Sequence, residues 1–300
     1  MNPPFRSDFM KKTKETKQSE ELAVASALAT ESAVAPLIPS YGEKPERKLL
    51  YSFFKRLFDI VSSGLMMIVL ALPIAVCLII KWLEDVKNPA YRLDIRELSE
   101  EEKDDKKIRN KVTRKDGKVF ACELVPDKSK SKTYSKSPVY SSIRVGKNGK
   151  RYKFYKIRSM CPGAEDMKQQ LIDAGLNEAD PPAFKMANDP RITRIGRFYR
   201  KFSIDELLQL WNIFNGTMSV VGPRSPLPFE VEQYTPYQMH RLDVKGGLLC
   251  LWQIQPDRNK LSFDDWVKLD MEYIENRSLW LDIKIIFKGA WMVLFDHSGE

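Results

Sequence analysis

Twenty-one consecutive residues, Ile60 to Ile80, carry no charge. At about 1.5 Å rise per residue a straight helix of that length would cover roughly 31 Å, enough for a full membrane span. Two features argue for a different course. Lys55 and Arg56 precede the run, while Lys81 opens a stretch, residues 81–160, with a surplus of eleven positive charges, so the positive-inside bias asks for both ends on the same side. Pro73 lies within the run, where it removes a helical hydrogen bond and clashes one turn back. A re-entrant helix over residues 49–84 satisfies both, with Lys55 and Arg56 at the lipid headgroups and Pro73 at the bend. A single tilted span and a buried soluble helix are the alternatives.

The rest of the chain divides by composition. Residues 1–48 mix Lys and Glu with a small-residue run from Ala23 to Ala35 and read as a disordered tail. Their apolar content is too low near Met1 for a signal peptide. Residues 85–137 are dense in charge, from Glu100 to Lys107 and again in the Ser/Lys run Lys128 to Lys136. Such a stretch reads as an exposed insertion without a core, with a short hairpin around Asp116-Gly117. Val139 to Gly146 and Arg151 to Arg158 flank Asn148-Gly149, a strong hairpin signal that opens a soluble domain over residues 138–300. Leu279 to Phe295 is apolar but interrupted by Asp282, Lys284 and Lys288. It reads as an interfacial amphipathic helix or as a core helix of that domain. The expected fold class is α+β: a small soluble domain of helices with a β-hairpin, anchored by the re-entrant helix and interfacial helices.

Several chemistries are excluded. Cys77, Cys122, Cys161 and Cys250 have no metal or disulfide spacing, and only two histidines, His240 and His297, are present. That removes multi-His metal sites and H-E-x-x-H zinc sites, so any metal must be a hard, oxygen-ligated ion. No P-loop, dinucleotide or D-x-D signature occurs. The net charge of +9 raises nucleic acid as a partner, but no base-reading motif accompanies it, and none is expected to bind.

The chemistry concentrates between Asp189 and Arg224. Arg191, Arg194, Arg197, Arg200 and Lys201 fall within eleven residues, and steps of three bring such side chains together on a helix or along a phosphate. Ser203-Ile204-Asp205-Glu206 then opens an apolar run at helical spacing, the pattern of a capping box with Ser203 at the N-cap and Glu206 at N3. Both carboxylates could simply stabilise a helix start. In the functional alternative the same start holds Asp205 ionised and attracts a diphosphate. Neighbours on a helix diverge by about 100°, so Asp205 and Glu206 cannot face each other as a glycosidase pair. One could attack phosphorus while the other serves a metal or a proton. Arg224 follows on a Gly-Pro turn, a rigid mount for a guanidinium.

Seven ordered blocks carry a resemblance: K-R-L-F-D-I from Lys55, R-V-G-K-N-G-K through Y-K-I-R-S-M from Arg144 to Met160, the run from Asp189 to Asn212, M-S-V-V-G-P-R from Met218, L-W-Q-I from Leu251, and L-D-M-E-Y-I-E-N-R-S-L-W-L-D-I-K-I from Leu269. Together they resemble the bacterial sugar transferases, the monotopic polyprenyl-phosphate phosphoglycosyl transferases. The resemblance implies transfer of a sugar-1-phosphate from a UDP-sugar to undecaprenyl phosphate, with Mg²⁺ as cofactor and release of UMP, as the initiating step of surface glycan synthesis. It places the family's Asp nucleophile on Asp205 and its partner on Glu206, both also metal contacts. Phosphate contacts fall on Arg200 and Arg224, with Lys156 and Arg158 beside them. It implies the re-entrant topology, the bacterial inner membrane, a catalytic domain on the cytoplasmic face, and membrane lipids, a homodimer and downstream glycosyltransferases as partners. Departures from the family pattern are Leu72 before Pro73, Thr217 where the family has an acid, and Ser225 where it has proline. A catalytically inactive, membrane-associated relative acting as an interaction protein is the alternative.

Overall fold

A computed structural model describes residues 48–88, 90–105, 108, 110–127, 137–178, 182, 184–186, 188–256 and 258–296. The tail expected over residues 1–48 lies outside these except for Lys48, as does the Ser/Lys run from 128 to 136.

The apolar run is two helices, α1 (Leu49–Val69) and α2 (Ala71–Lys87), bent by 62° at Leu70. Among the described residues no helix alone is long and apolar enough to cross a membrane, but this bent pair passes the same test together. The break falls one turn before Pro73 rather than at it. Pro73 has no N–H for the carbonyl of Val69, so the helix ends there and restarts with proline in its first turn, where the missing donor costs nothing. Leu65, Ile68, Val69, Leu72 and Ile79 remain exposed, an apolar surface of the kind that marks a membrane or partner contact.

The charged insertion is folded, which corrects the expectation of a coreless loop. Strands β1 (Tyr91–Glu97), β2 (Lys111–Thr113) and β3 (Val119–Pro126) form an antiparallel sheet in the order β1-β3-β2, with Thr113 paired to Val119 across Asp116-Gly117. The expected hairpin is therefore present. Val112, Phe120 and Cys122 bury one face against Leu171, Leu176 and Met186. Alternation hid part of this core, because in β1 exposed Arg92, Asp94 and Arg96 alternate with half-buried Leu93 and Ile95. Replacing residues 90–136 with a Gly/Ser linker should uncover those three partners and cost about 5 kcal/mol or more of stability, read as a lowered melting temperature in detergent.

Strands β4 (Val139–Val145) and β5 (Arg151–Ile157) pair antiparallel across the Lys147–Gly149 turn, with Asn148 at φ 56°. The hairpin expected at Asn148-Gly149 is there, with a five-residue loop. Helix α3 (Ala164–Asp173) supports the insertion sheet, and α4 (Arg194–Lys201) and α5 (Gln209–Phe214) flank the site. A parallel pair, β6 (Ser219–Val221) and β7 (Gly247–Leu249), brackets two single-turn helices, α6 (Pro228–Val231) and α7 (Pro236–Met239). Helices α8 (Phe263–Asn276) and α9 (Leu279–Trp291) close the main core, which joins Val221, Val267, Ile274 and Ile285. The core-helix reading of the C-terminal segment holds for one face of α9, where Ile285 and Gly289 are buried, while Trp280, Phe287 and Trp291 on the same helix are exposed.

Candidate active site

Thr193 caps α4, its hydroxyl accepting the Gly196 N–H at 3.0 Å. A Cβ on Gly196 would lie 1.8 Å from the Ser159 carbonyl oxygen, so glycine alone lets α4 rest on the chain leaving β5. That contact brings Arg200 Nε to 3.0 Å from Ser159 Oγ. Ser203 then takes the left-handed conformation at φ 54°, and Ile204–Glu206 forms one 3₁₀ turn before α5 begins at Gln209.

The capping box is therefore not formed. An N-cap residue needs extended backbone, and left-handed Ser203 makes no side-chain cap bond. Nor does Asp205 sit at N2 of an α-helix, so no helix field acts on it as expected. Glu206 reaches instead to β5, where Lys156 Nζ donates to Glu206 Oε1 at 2.7 Å and lies 3.7 Å from Asp205 Oδ2. Asn212 of α5 clamps that strand, donating to the Lys153 carbonyl at 2.7 Å and accepting from the Tyr155 N–H at 3.2 Å. Strain at a left-handed serine of this order, about 1 kcal/mol, is held by the surrounding packing.

Electrostatics separates the two carboxylates. Asp205 is 5 % exposed; burial raises its pKa above the ordinary value, aided by Glu206 and opposed by Lys156 and Arg200. Burial alone would raise Glu206 too, but Lys156, by charge and hydrogen bond, and Arg224 outweigh it and hold the group low. Thus Lys156, Arg200 and Arg224 all direct positive charge onto the pair. An enzyme that needs ionised Asp205 should show its acid limb in kcat/KM above the ordinary aspartate range of about 3.9. Lys156→Met removes a charge that opposes protonation, so that limb should move to higher pH, as a pH–rate profile would record.

The other expected residues divide. Arg191 is buried and paired with Asp189 at 2.6 Å, and Arg194 and Arg197 are exposed, so of the spaced arginines only Arg200 joins the pair. The charge of Arg158 acts on Asp85 of α2. Lys55 and Arg56, expected at lipid headgroups, are engaged by protein: Lys55 pairs with Asp282 of α9 at 2.8 Å, and Arg56 donates to the carbonyls of Ile213 and Phe214 at 2.7 Å each. Thr217 bonds Asn212 and Asn215 within a turn, and Ser225 accepts the Tyr152 hydroxyl at 2.6 Å, so both departures are absorbed structurally.

Sequence reasoning missed what docks the helix pair. Asp59 accepts Ser219 Oγ at 3.0 Å and the Val220 N–H at 2.9 Å, fastening α1 to β6. Lys81, read as a charge flanking the apolar run, is fully buried between Glu84 at 2.6 Å and Asp85 at 2.8 Å. Thr193 donates to the same Glu84 at 2.8 Å. The spacing of Lys81, Glu84 and Asp85, at i, i+3 and i+4, was the available signal.

Among the described residues no three His, Cys, Asp or Glu side chains form a metal cage. Magnesium needs only one or two carboxylates when a diphosphate supplies further oxygens. Asp205 and half-buried Glu206, hard oxygen donors at one turn, fit an ion of that kind.

The chain belongs to the bacterial sugar transferase family, whose family model matches residues 128–296. It is 47 % identical over 182 residues to the galactosyl transferase CpsE of Streptococcus agalactiae, covering 61 % of this chain and 39 % of that one. Identity is 42 % over 158 residues to the undecaprenyl-phosphate galactose phosphotransferase of Salmonella typhimurium, 52 % of this chain and 33 % of that one. With the exopolysaccharide production protein ExoY of Rhizobium meliloti it is 39 % over 154 residues, 51 % of this chain and 68 % of that one. The chain thus spans only about a third of the length of the longer curated relatives it matches.

Proposed function

We propose that the protein transfers a sugar-1-phosphate from a UDP-sugar to undecaprenyl phosphate at a membrane surface, the initiating step of a surface glycan. The observation that carries this reading is Asp205, buried beside Lys156 with the charges of Arg200, Lys156 and Arg224 converging on it and on Glu206. The Salmonella relative's name, a galactose phosphotransferase acting on undecaprenyl phosphate, supports the same reaction class.

In this reading Asp205 attacks the sugar-bearing phosphorus of the UDP-sugar. The bond from that phosphorus to the bridging oxygen breaks, and UMP leaves with the electron pair. An oxygen of undecaprenyl phosphate then attacks the same phosphorus, freeing the Asp205 carboxylate and forming a polyprenyl diphosphate sugar. Arg200 and Arg224 bind and orient diphosphate oxygens, whose negative charge would otherwise repel a carboxylate. Lys156 keeps the carboxylates ionised. Magnesium, when bound, supplies further neutralisation of those oxygens. The bent helix pair dips into the cytoplasmic leaflet and returns, so that the site lies at the cytoplasmic surface of the bacterial inner membrane, where the acceptor phosphate is found.

The test is UMP release by the full chain in detergent, from a panel of UDP-sugars beginning with UDP-galactose. Release that requires undecaprenyl phosphate for repeated turnover and stops with EDTA is the expected result. No UMP from any UDP-sugar would overturn the reading.

A further inference from the structure

A cavity of about 430 Å³ opens beside the first three turns of α1, away from the Asp205 turn. Lys48, Lys55, Arg56, Lys147, Lys245 and Arg277 line it. Against these six cations stand two acids. Asp59 is occupied by Ser219 and Val220, and Asp243 by His240 at 2.8 Å. Lys55 and Arg56 also have protein partners, but the ammonium groups of Lys147 and Lys245 have no hydrogen bond or ion pair among the described residues. They come from separate elements, the tip of the β4–β5 hairpin and the segment before β7, so their meeting is made by the tertiary fold.

Crowded cations of this kind lack a counter-ion. Lys245 registers it: burial first, then the charges of Arg56, Lys147 and Lys55, lower its pKa despite Asp59. An anion in the cavity would offset that repulsion and favour the charged ammonium. The polar side of α1 faces this space, with Lys48, Tyr51, Ser52, Lys55 and Asp59 on it, whereas Leu50, Phe53, Leu57 and Phe58 on the same helix are exposed. Leu49 lines the cavity and is itself 73 % exposed, joining the two surfaces.

We propose that this cavity holds the headgroup of an anionic phospholipid, its phosphodiester between Lys147 and Lys245 and its acyl chains along the apolar side of α1. The assignment rests on the reading of α1 and α2 as membrane-embedded, since a soluble phosphate would leave that apolar side uncovered. It is a site apart from the carboxylate pair. A lipid there would tie the hairpin, the β7 approach and α1 into one unit, holding the soluble body at headgroup level.

The test compares melting temperatures of the full chain in detergent with dioctanoyl phosphatidylglycerol, dioctanoyl phosphatidylcholine and inorganic phosphate. At about a hundredfold excess over its Kd, phosphatidylglycerol should raise the melting temperature by roughly 5–10 °C, with phosphatidylcholine and phosphate giving less than half of that. The double variant Lys147→Gln, Lys245→Gln should lose most of the shift, and Lys147→Arg, Lys245→Arg should keep it. An equal shift from phosphatidylcholine, an equal shift from inorganic phosphate, or a full shift in the glutamine variant would each overturn the proposal. UMP release measured on the same samples separates the two readings. Absence of the lipid shift in the wild type alongside normal turnover overturns this site alone, whereas a lipid shift in a wild-type protein without turnover upholds it and counts against the catalytic reading.

Discussion

Asp205→Asn should fold as the wild type does and lose turnover by more than about a thousandfold, the scale on which loss of a nucleophile is read. The substitution keeps size and shape in a site where Asp205 is 5 % exposed. It also removes a buried charge, so the melting temperature should hold or rise slightly. Brief incubation of wild type with a UDP-sugar alone should add one phosphosugar mass to the peptide carrying Asp205, and the variant should add none. Asp205→Glu should fail as well, since one methylene displaces the attacking oxygen by about 1 Å, a misplacement that can cost a hundredfold. Near-normal turnover in Asp205→Asn would remove Asp205 as nucleophile and leave Glu206, held ionised by Lys156, as the remaining carboxylate.

Among the point substitutions, Lys81→Met should give the largest loss of stability, about 3–5 kcal/mol, because it leaves buried Asp85 and partly buried Glu84 without their cation. In a domain of this size that corresponds to a fall of roughly 6–20 °C in melting temperature. The three groups join α2 to α4 through Thr193, which also caps the helix that carries Arg200, so turnover should fall together with stability. Adding Glu84→Gln and Asp85→Leu to Lys81→Met removes the stranded charges and should recover much of the loss. A melting temperature within about 1 °C of wild type for the single variant would show that the cluster does not hold the helix pair.

The elements that the sequence determined by itself are those whose signal is local. The break in the apolar run follows from Pro73, whose missing N–H acts on Val69 one turn back, and the β4–β5 hairpin from Asn148-Gly149, residues that tolerate positive φ. Asp205 and Glu206 were legible as a candidate pair because carboxylates and arginines stand close together in the chain.

Tertiary structure decided the rest. Ser203 and Glu206 satisfy the pattern of a capping box, yet Lys156, some fifty residues away, draws Glu206 out of it, since a charge-assisted bond is stronger than a cap between neutral groups. Lys55, Arg56 and Lys81 read as membrane-flanking charges because sequence shows their sign and not their partners. Asp282, the carbonyls of Ile213 and Phe214, and the pair Glu84 and Asp85 turn them into docking contacts. The insertion looked unable to fold because its charge was averaged along the chain, whereas burial acts on faces: Val112, Phe120 and Cys122 meet Leu93 and Ile95 of β1 and find their buried partners in α3 and the segment after it. Partners distant in sequence leave no local pattern, and for this chain they set which charges serve chemistry and which hold it in place.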